Sequence, residues 1–376
     1  EKVLRYSFRI AESSFDPAQI TDLYSRTVVA SIFEAPLEYE FLAKPSRMRT
    51  NTAAAMPEVS ADFKTFTFRI KPGIHFADDP AFKGAKRELT AQDYVYSIKR
   101  HYDPRWKSGN LYLLENFRIL GLSELRKELI DAKKPFDYDR DVEGVRALDR
   151  YTFQIKTAVP NPRLLQQFTD ASFMGALARE VVEFYGDKIG DHPVGTGPFR
   201  ITQWRRSSKI VLERNTNYRE VLYDERPTDT DARLQGIASS FKGKRLPLVD
   251  RVEISIIEEN QPRWLAYLNG EHDVLEEVPH EFVSIATPNG SSRRTWPSRA
   301  CRPCATRAPR SRCRTLRWRT RWSVATSRTR WRCAAPFRWR WTWTRRSSSR
   351  GAARRSPRNR RSAPRPSATR RSSRAR

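Results

Sequence analysis

The sequence changes character after Gly290, and this break limits which part of the chain can build a folded core. Residues 291–376 contain 29 arginines and no Lys, Asp, Glu, Ile, Tyr, Met or His. Residues 1–290 therefore hold the other 42 of the 71 Lys and Arg residues and all 43 acidic residues, which makes them nearly neutral. We expect residues 291–376 to be disordered and to form no packed core. Arginines without acids repel one another, and the apolar residues follow neither the helix nor the strand period.

The tryptophans of this segment indicate how it could have arisen. Trp is encoded by TGG alone, so moving the reading frame of Trp339–Thr344 (WRWTWT) back by one base changes each Trp to Leu, Met or Val. The same shift turns the Arg and Thr codons into Ala and Asp codons. The hidden peptide then has apolar residues and charges like those of an ordinary amphipathic segment. We therefore interpret residues 291–376 as the out-of-frame product of a frameshift after about Gly290.

The Arg-rich segment allows two other interpretations. Arginine neutralises phosphates and Trp stacks on bases, so nucleic-acid (polyanion) binding is the alternative function. Such binding would be non-specific and would collapse between low and moderate salt, so no specific nucleic-acid partner is expected. The spacing Cys301-x-x-Cys304, with Cys313 and Cys333, invites a zinc site, which is disfavoured because nothing around it predicts ordered strands or helices.

Residues 1–290 show no catalytic constellation. Their five histidines have neither metal-ligand spacing nor Ser and Asp partners, so the sequence predicts no enzyme, no metal site and no cofactor. No run of 18 apolar residues suggests a transmembrane helix. The absence of cysteine from this part fits an exported protein that does without disulfides.

Strand and helix patterns alternate along residues 1–290, which predicts an α/β class with at least two lobes. Strands are predicted at 3–10 and 250–257, and a third has Phe66 and Phe68 alternating with polar residues. A hairpin is predicted across Arg205–Ser208.

Helix signals are equally local. Thr90 and Asp93 are spaced like a capping box at the start of a helix. A second helix is predicted over 175–186, and Asn260 is predicted to cap a third that ends before Gly270.

A series of motifs then resembles bacterial extracellular solute-binding protein family 5, the oligopeptide- and dipeptide-binding components of ABC importers. The most specific is PVGTGPFRITQWRRSSKIVLERNTNYRE (193–220), where Gly-Thr-Gly-Pro, a Trp and Arg-Asn-x-x-Tyr occur together. The other matching stretches, in the family's order, are 15–40, 56–78, 89–104 and 249–279.

The resemblance implies a type II periplasmic-binding-protein-like fold with two lobes. Lobe I would comprise residues 1–42 and 188–278, with an inserted subdomain at 43–187. Lobe II would begin at 279–290, and almost all of it is missing in frame, since 291–376 form the Arg-rich tail.

The same resemblance implies the function. The chain is expected to be a monomeric, periplasmic substrate-binding protein whose signal peptide has been removed. It would bind a small peptide or similar solute and deliver it to the membrane permease of an ABC importer. Because a cleft ligand draws contacts from both lobes, binding by this chain is expected to be impaired.

The resemblance also suggests ligand-binding residues at three places. Glu34 matches a position whose carboxylate lies at the cleft floor, although a charge at the end of a surface helix is the alternative. Asn110 and Tyr112, in SGNLYLL, match a loop that lines the peptide channel. Trp204 is either part of the core or part of the cleft wall.

The Gly195-Thr196-Gly197 stretch is a fourth such place and is predicted to lie at the cleft edge. It is not a phosphate-binding loop, because no Lys-Ser/Thr follows and the next residues predict a strand. Its glycines are expected to permit a tight backbone turn.

Overall fold

Two four-stranded sheets organise the computed structural model, which describes residues 1–227 and 232–286. The strands are β1 (Val3–Phe8), β2 (Leu37–Tyr39), β3 (Met48–Thr50), β4 (Glu58–Val59), β5 (Thr65–Arg69), β6 (Val145–Ala147), β7 (Thr152–Lys156), β8 (Phe199–Arg205), β9 (Lys209–Arg214) and β10 (Arg251–Ile256). The helices are α1 (Leu23–Val29), α2 (Ala91–Tyr102), α3 (Leu111–Asn116), α4 (Leu122–Asp131), α5 (Leu164–Gln167), α6 (Ala171–Met174), α7 (Arg179–Tyr185), α8 (Ala232–Phe241), α9 (Asn260–Leu268) and α10 (Val283–Ala286). Short 3₁₀ helices lie at Pro80–Phe82, Pro104–Trp106, Gly186–Asp191 and His280–Phe282.

The first sheet joins the start of the chain to its later strands, in the order β1-β10-β9-β8. β1 runs parallel to β10, and the other neighbours are antiparallel. Tyr6 pairs with Ile254, which pairs in turn with Ile210, so one face of the sheet is apolar and packs on the core. The predicted hairpin between β8 and β9 is confirmed, and the predicted first strand is confirmed but ends at Phe8.

The second sheet is wholly antiparallel, in the order β4-β5-β7-β6. The alternation at Phe66 and Phe68 is confirmed, since both side chains are buried. Phe68 stacks on Phe153 of β7 with 4.7 Å between ring centroids, and Tyr94 of α2 stacks on the same ring at 5.4 Å. The hydrophobic core is continuous and includes residues of both sheets.

The α/β class is therefore confirmed, and the two sheets use different stretches of the chain. β2 and β3 form a separate two-stranded ribbon on either side of residues 42 and 43, where a domain boundary is predicted. Arg49 on β3 forms ion pairs with Glu38 of β2 and with Asp224 and Glu225. The division into a discontinuous lobe I and an inserted subdomain stays a prediction. The Arg-rich segment, for which disorder was predicted, lies with its cysteines outside the described residues.

Two helix predictions need correction. The capping box of α2 is confirmed, with the Thr90 N–H donating to Asp93 Oδ2 at 2.7 Å. The helix predicted over 175–186, however, begins only at Arg179, because the backbone is extended at Gly175 and again at Ala178. α9 is capped by Glu259 rather than Asn260, so that helix begins one residue earlier than predicted.

Helix α2 carries Arg100 and His101 into the core. Arg100 donates to both carboxylate oxygens of Asp16, at 2.7 and 2.9 Å, and both side chains are fully buried. The next residue, His101, is also buried, and its Nε2 lies 3.1 Å from the carbonyl oxygen of Phe173. Since a carbonyl can only accept, Nε2 carries the proton and Nδ1 accepts from the Ser108 hydroxyl at 2.7 Å.

Protonation of His101 should make stability depend on pH. Burial, with a smaller effect of nearby Arg100, lowers the pKa of His101 to about 4, although its hydrogen bond to Phe173 opposes the shift. In the unfolded chain His101 binds this proton near pH 6.5. The stabilisation that comes from keeping His101 neutral is therefore fully present above that pH and is lost as the pH falls towards 4. The loss from this residue is expected to reach about 3 kcal/mol.

The measurement is urea unfolding of the wild type and of His101→Gln between pH 7.5 and 4. The variant should show a shallower pH dependence, whereas exposed His192→Gln should keep the wild-type dependence. Equal dependence in the wild type and His101→Gln would contradict the assignment.

Candidate ligand-binding site

Glu34 lies in a buried polar cluster where the chain leaves α1. Its side chain is 5% exposed, and Oε2 accepts from the Thr196 hydroxyl at 2.9 Å and from Arg219 Nη1 at 2.6 Å. The second amino group of Arg219 donates to Asn51 Oδ1 at 2.7 Å. We refer to Glu34, Asn51, Thr196 and Arg219 as the Glu34 cluster.

The charges of this cluster compensate each other. Burial disfavours the Arg219 guanidinium, but the neighbouring Glu34 carboxylate outweighs this and raises the pKa of Arg219. Lys71 donates to the Asn51 carbonyl at 2.7 Å, and burial and the charge of Arg219 lower the pKa of Lys71. The Glu34 carboxylate thus stays paired, and removing either partner would leave a largely buried charge.

Gly195 and Gly197 are required by close packing rather than by an unusual turn. Gly197 N–H donates to the Ile32 carbonyl at 2.7 Å, and a Cβ on Gly195 would come within 2.2 Å of the same oxygen. Neither glycine needs a positive φ, so the expected role in a tight turn is corrected. The bend instead brings Thr196 against Glu34.

Gly195→Ala should therefore be destabilising. The added methyl group must displace a backbone carbonyl, which we expect to cost about 1–3 kcal/mol, as for overpacked cores. Gly236→Ala is the control, since nothing lies within 4 Å of that position, which is inside α8. Urea unfolding should show a loss for the first and a small gain for the second; equal stabilities would refute the packing explanation.

The structure separates the two residues of the predicted channel loop. Asn110 is buried, and its Oδ1 accepts from Arg26 at 2.8 Å. Tyr112, two residues later on α3, is 60% exposed. That this loop lines a peptide channel stays a prediction. The Asn110 side chain joins the loop to Arg26 of α1. Of the two residues, only Tyr112 presents its side chain to solvent.

Trp204 lies at the end of β8, half-buried at the margin of the core. Its ring meets Phe15 edge-on with centroids 4.9 Å apart, and its Nε1–H donates to the buried Glu12. The Ser207 N–H donates to the same carboxylate oxygen at 3.0 Å. Of the two roles expected for Trp204, these contacts favour core packing.

The structure thus brings together Glu34 and residues 195–197, and places Tyr112 and Trp204 in separate surroundings. Sequence reasoning missed Arg219 and Asn51, which complete the Glu34 cluster. Arg219 follows the Arg-Asn-x-x-Tyr motif directly, which is the signal that could have pointed to it. Asn51 had no local signal.

One open cavity of about 500 Å³ contains none of the predicted site residues. It is lined by His75, Lys86, Arg87, Glu88, Thr90 and Arg150. Arg87 is paired with Asp93 and Glu180, and Arg150 with Glu88, so most of its charge is already compensated. Among residues 1–227 and 232–286, no group of three His, Cys, Asp or Glu side chains is placed to hold a metal ion.

Comparison with known proteins decides the family. Residues 47–322 match bacterial extracellular solute-binding proteins, family 5 Middle, a match that covers most of the chain and runs past the change in composition at Gly290. The chain belongs to this family. The described residues include no helix long and apolar enough to cross a bilayer.

Three relatives show the range of similarity. The periplasmic oligopeptide-binding protein OppA of Salmonella typhimurium is 28% identical over 207 residues, which are 54% of this chain and 34% of OppA. The dipeptide-binding protein of Escherichia coli is 33% identical over 158 residues, 41% of this chain and 26% of that protein. The structure of the Escherichia coli murein tripeptide binding protein MppA matches with a TM-score of 0.58 at 20% identity, covering 77% of this chain and 49% of MppA.

The structural match confirms the periplasmic peptide-binding fold expected from the resemblance. The chain spans about a third of the curated OppA and about half of MppA. Of the predicted start of lobe II, at residues 279–290, the structure describes the part up to Ala286.

Proposed function

We propose that this chain is the substrate-binding protein of an ABC importer for peptides or a similar small solute. It acts in the periplasm as a monomer and hands its solute to the membrane permease. The family match over residues 47–322 carries the proposal, and relatives named for oligopeptides, dipeptides and a murein tripeptide support the class of solute. No enzymatic step is part of this function.

We call the part of the solute cleft that this chain would contribute the half-site. It would combine a fixed cleft wall with one exposed side chain that contacts the solute. The Glu34 cluster fixes the wall by joining residues 34, 51, 196 and 219 through buried hydrogen bonds. Tyr112 offers an exposed aromatic surface of the kind that binds apolar parts of a ligand.

Peptide binding by this chain is expected to be weak. A cleft ligand takes its contacts from both lobes, so loss of one removes several kcal/mol, and each 1.4 kcal/mol weakens binding about tenfold. Calorimetric titration with di- to pentapeptides should show affinity in the millimolar range. Micromolar binding would contradict the proposed impairment while supporting the proposed solute class.

The nucleic-acid alternative gains no support from the comparisons, and the Arg-rich segment lies outside the described residues. Any polyanion binding by that segment should disappear between low and moderate salt, because it depends on counterion release. Binding in a cleft should not, so titrations at both salt concentrations separate the two functions.

A further inference from the structure

Residues 108–112, which we call the tyrosine loop, are held more firmly than an exposed loop requires. The first tether comes from α2: the Ser108 hydroxyl is 2.7 Å from Nδ1 of buried His101. The same Ser108 oxygen accepts from the Asn110 N–H at 3.3 Å. Ser108 therefore links the interior of the protein to the turn that begins α3.

The second tether comes from α1 through Arg26. Its Nη2 donates to Asn110 Oδ1 at 2.8 Å, and its Nη1 lies 3.6 Å from the Asp170 carboxylate. Asp170 is itself fixed, because it accepts from the Ser172 N–H at the start of α6. The guanidinium is thus oriented from one side by Asp170 and directs Asn110 on the other.

The third tether is the close packing of the loop against the segment that precedes α1. A Cβ on Gly109 would come within 2.4 Å of the Thr21 side chain, so the loop lies directly against the segment before α1. The side-chain Nδ2 of Asn110 also donates to the Ile20 carbonyl at 3.4 Å. The tyrosine loop is therefore fixed from α1, α2 and the segment that precedes α1.

The side chain that these tethers deliver is Tyr112, which remains 60% exposed. Desolvating Arg26, Asn110 and His101 beneath a loop costs free energy that apolar side chains in the same place would not cost. A rigid aromatic side chain, in contrast, binds with little loss of conformational entropy. The arrangement is therefore better suited to presenting Tyr112 than to stabilising the fold alone.

We propose that Arg26 is a positioning residue that acts through Asn110 to fix Tyr112 as a contact for an apolar or aromatic side chain of the solute. This inference rests on the proposed function, since it assigns Tyr112 to solute binding. It adds that the selectivity of the half-site depends on a residue that does not touch the solute.

The first test measures the loop without any solute, in the full chain. Arg26→Met should speed amide hydrogen exchange at residues 110–113 at least about tenfold, while amides of β5 and β7 keep the wild-type rate. Asn110→Ala should have the same effect. Asn110→Asp keeps an oxygen facing Arg26 but loses the donor to the Ile20 carbonyl, so it should recover part of the protection. Thr27→Ala, on the exposed side of α1, is the matched control. Unchanged exchange in Arg26→Met, or acceleration spread evenly over the protein, would overturn the proposal.

The second test measures selectivity with two probes, the tripeptides Ala-Phe-Ala and Ala-Ala-Ala, by NMR titration into the millimolar range. The wild type should prefer Ala-Phe-Ala by about two- to tenfold, the range of an aromatic contact. Tyr112→Ala and Arg26→Met should each abolish that preference, and the double variant should lose nothing more. Phe184→Ala removes an equally exposed aromatic ring elsewhere, on α7, and should keep the preference.

The outcomes distinguish the positioning role of Arg26 from the solute contact assigned to Tyr112. A preference that survives Arg26→Met, or additive losses in the double variant, would overturn the positioning role. If neither tripeptide binds the wild type, solute binding by this half-site fails and Tyr112 loses its assigned role. The exchange measurement still decides whether Arg26 holds the loop.

Discussion

Replacing Asp16 by alanine is expected to lower the free energy of unfolding by about 3–5 kcal/mol, the usual cost of leaving a buried charge without its partner. Asp16 and Arg100 are both fully buried and joined by two hydrogen bonds, at 2.7 and 2.9 Å. Burial opposes the Arg100 charge, yet Asp16 outweighs it and raises the pKa of Arg100. The ring of Trp106, 4.2 Å from the guanidinium carbon, leaves little room for water to replace the carboxylate.

Urea unfolding at pH 7 checks this value against two controls. Asp187→Ala breaks an exposed ion pair with Arg105 and should cost less than about 1 kcal/mol. Combining Asp16→Ala with Arg100→Met removes both charges and should recover much of the loss. If Asp16→Ala cost no more than Asp187→Ala, the buried pair would contribute nothing particular to the fold.

Restoring the reading frame is expected to have the largest effect of all, because under the frameshift interpretation it would supply the second lobe. If one base was gained or lost near the codons of Asn289–Ser292, the repaired gene should turn WRWTWT into Leu-Ala-Met-Asp-Val-Asp or a close variant. The product should lose its basic pI and most of its Trp and Cys, and fold cooperatively. Peptide at 100 times its Kd should then stabilise it by about 2.7 kcal/mol, which thermal unfolding would register as a rise in Tm.

Sequencing the gene across these codons is the control for this prediction. A repaired frame that still encodes an acid-free, Arg-rich segment, or that meets a stop codon at once, would show that the frameshift interpretation is wrong. The segment would then have to be explained as a genuine polyanion-binding arm.

Sequence patterns predicted the elements whose signals are local. The capping box at Thr90 and the alternation of Phe66 and Phe68 are confirmed because each depends on residues a few positions apart. The helix predicted over 175–186 was too long because the backbone is extended at Gly175 and Ala178, and between them the Leu177 N–H donates to Ser97, 80 residues away. No local pattern contains that partner.

The candidate site was predictable only as far as the resemblance reached. It pointed to Glu34 and residues 195–197, which the fold does bring into contact. Arg219 reaches Glu34 across 185 residues of sequence, and Asn51 joins through Arg219, so neither contact could be predicted from spacing. Asn110 was predicted in a loop that lines the channel, but its hydrogen bond to Arg26, 84 residues away, could not be predicted from the local sequence.

We propose that residues 1–286 carry one half of a peptide-binding cleft whose other half is encoded in a different reading frame. Isothermal titration calorimetry of the frame-restored protein with di- to pentapeptides, beside the present chain, tests it most directly. We expect the restored protein to bind on the order of a thousandfold more tightly, in line with several kcal/mol of regained contacts. A restored protein that folds cooperatively but binds these peptides no better than the present chain would contradict the claim.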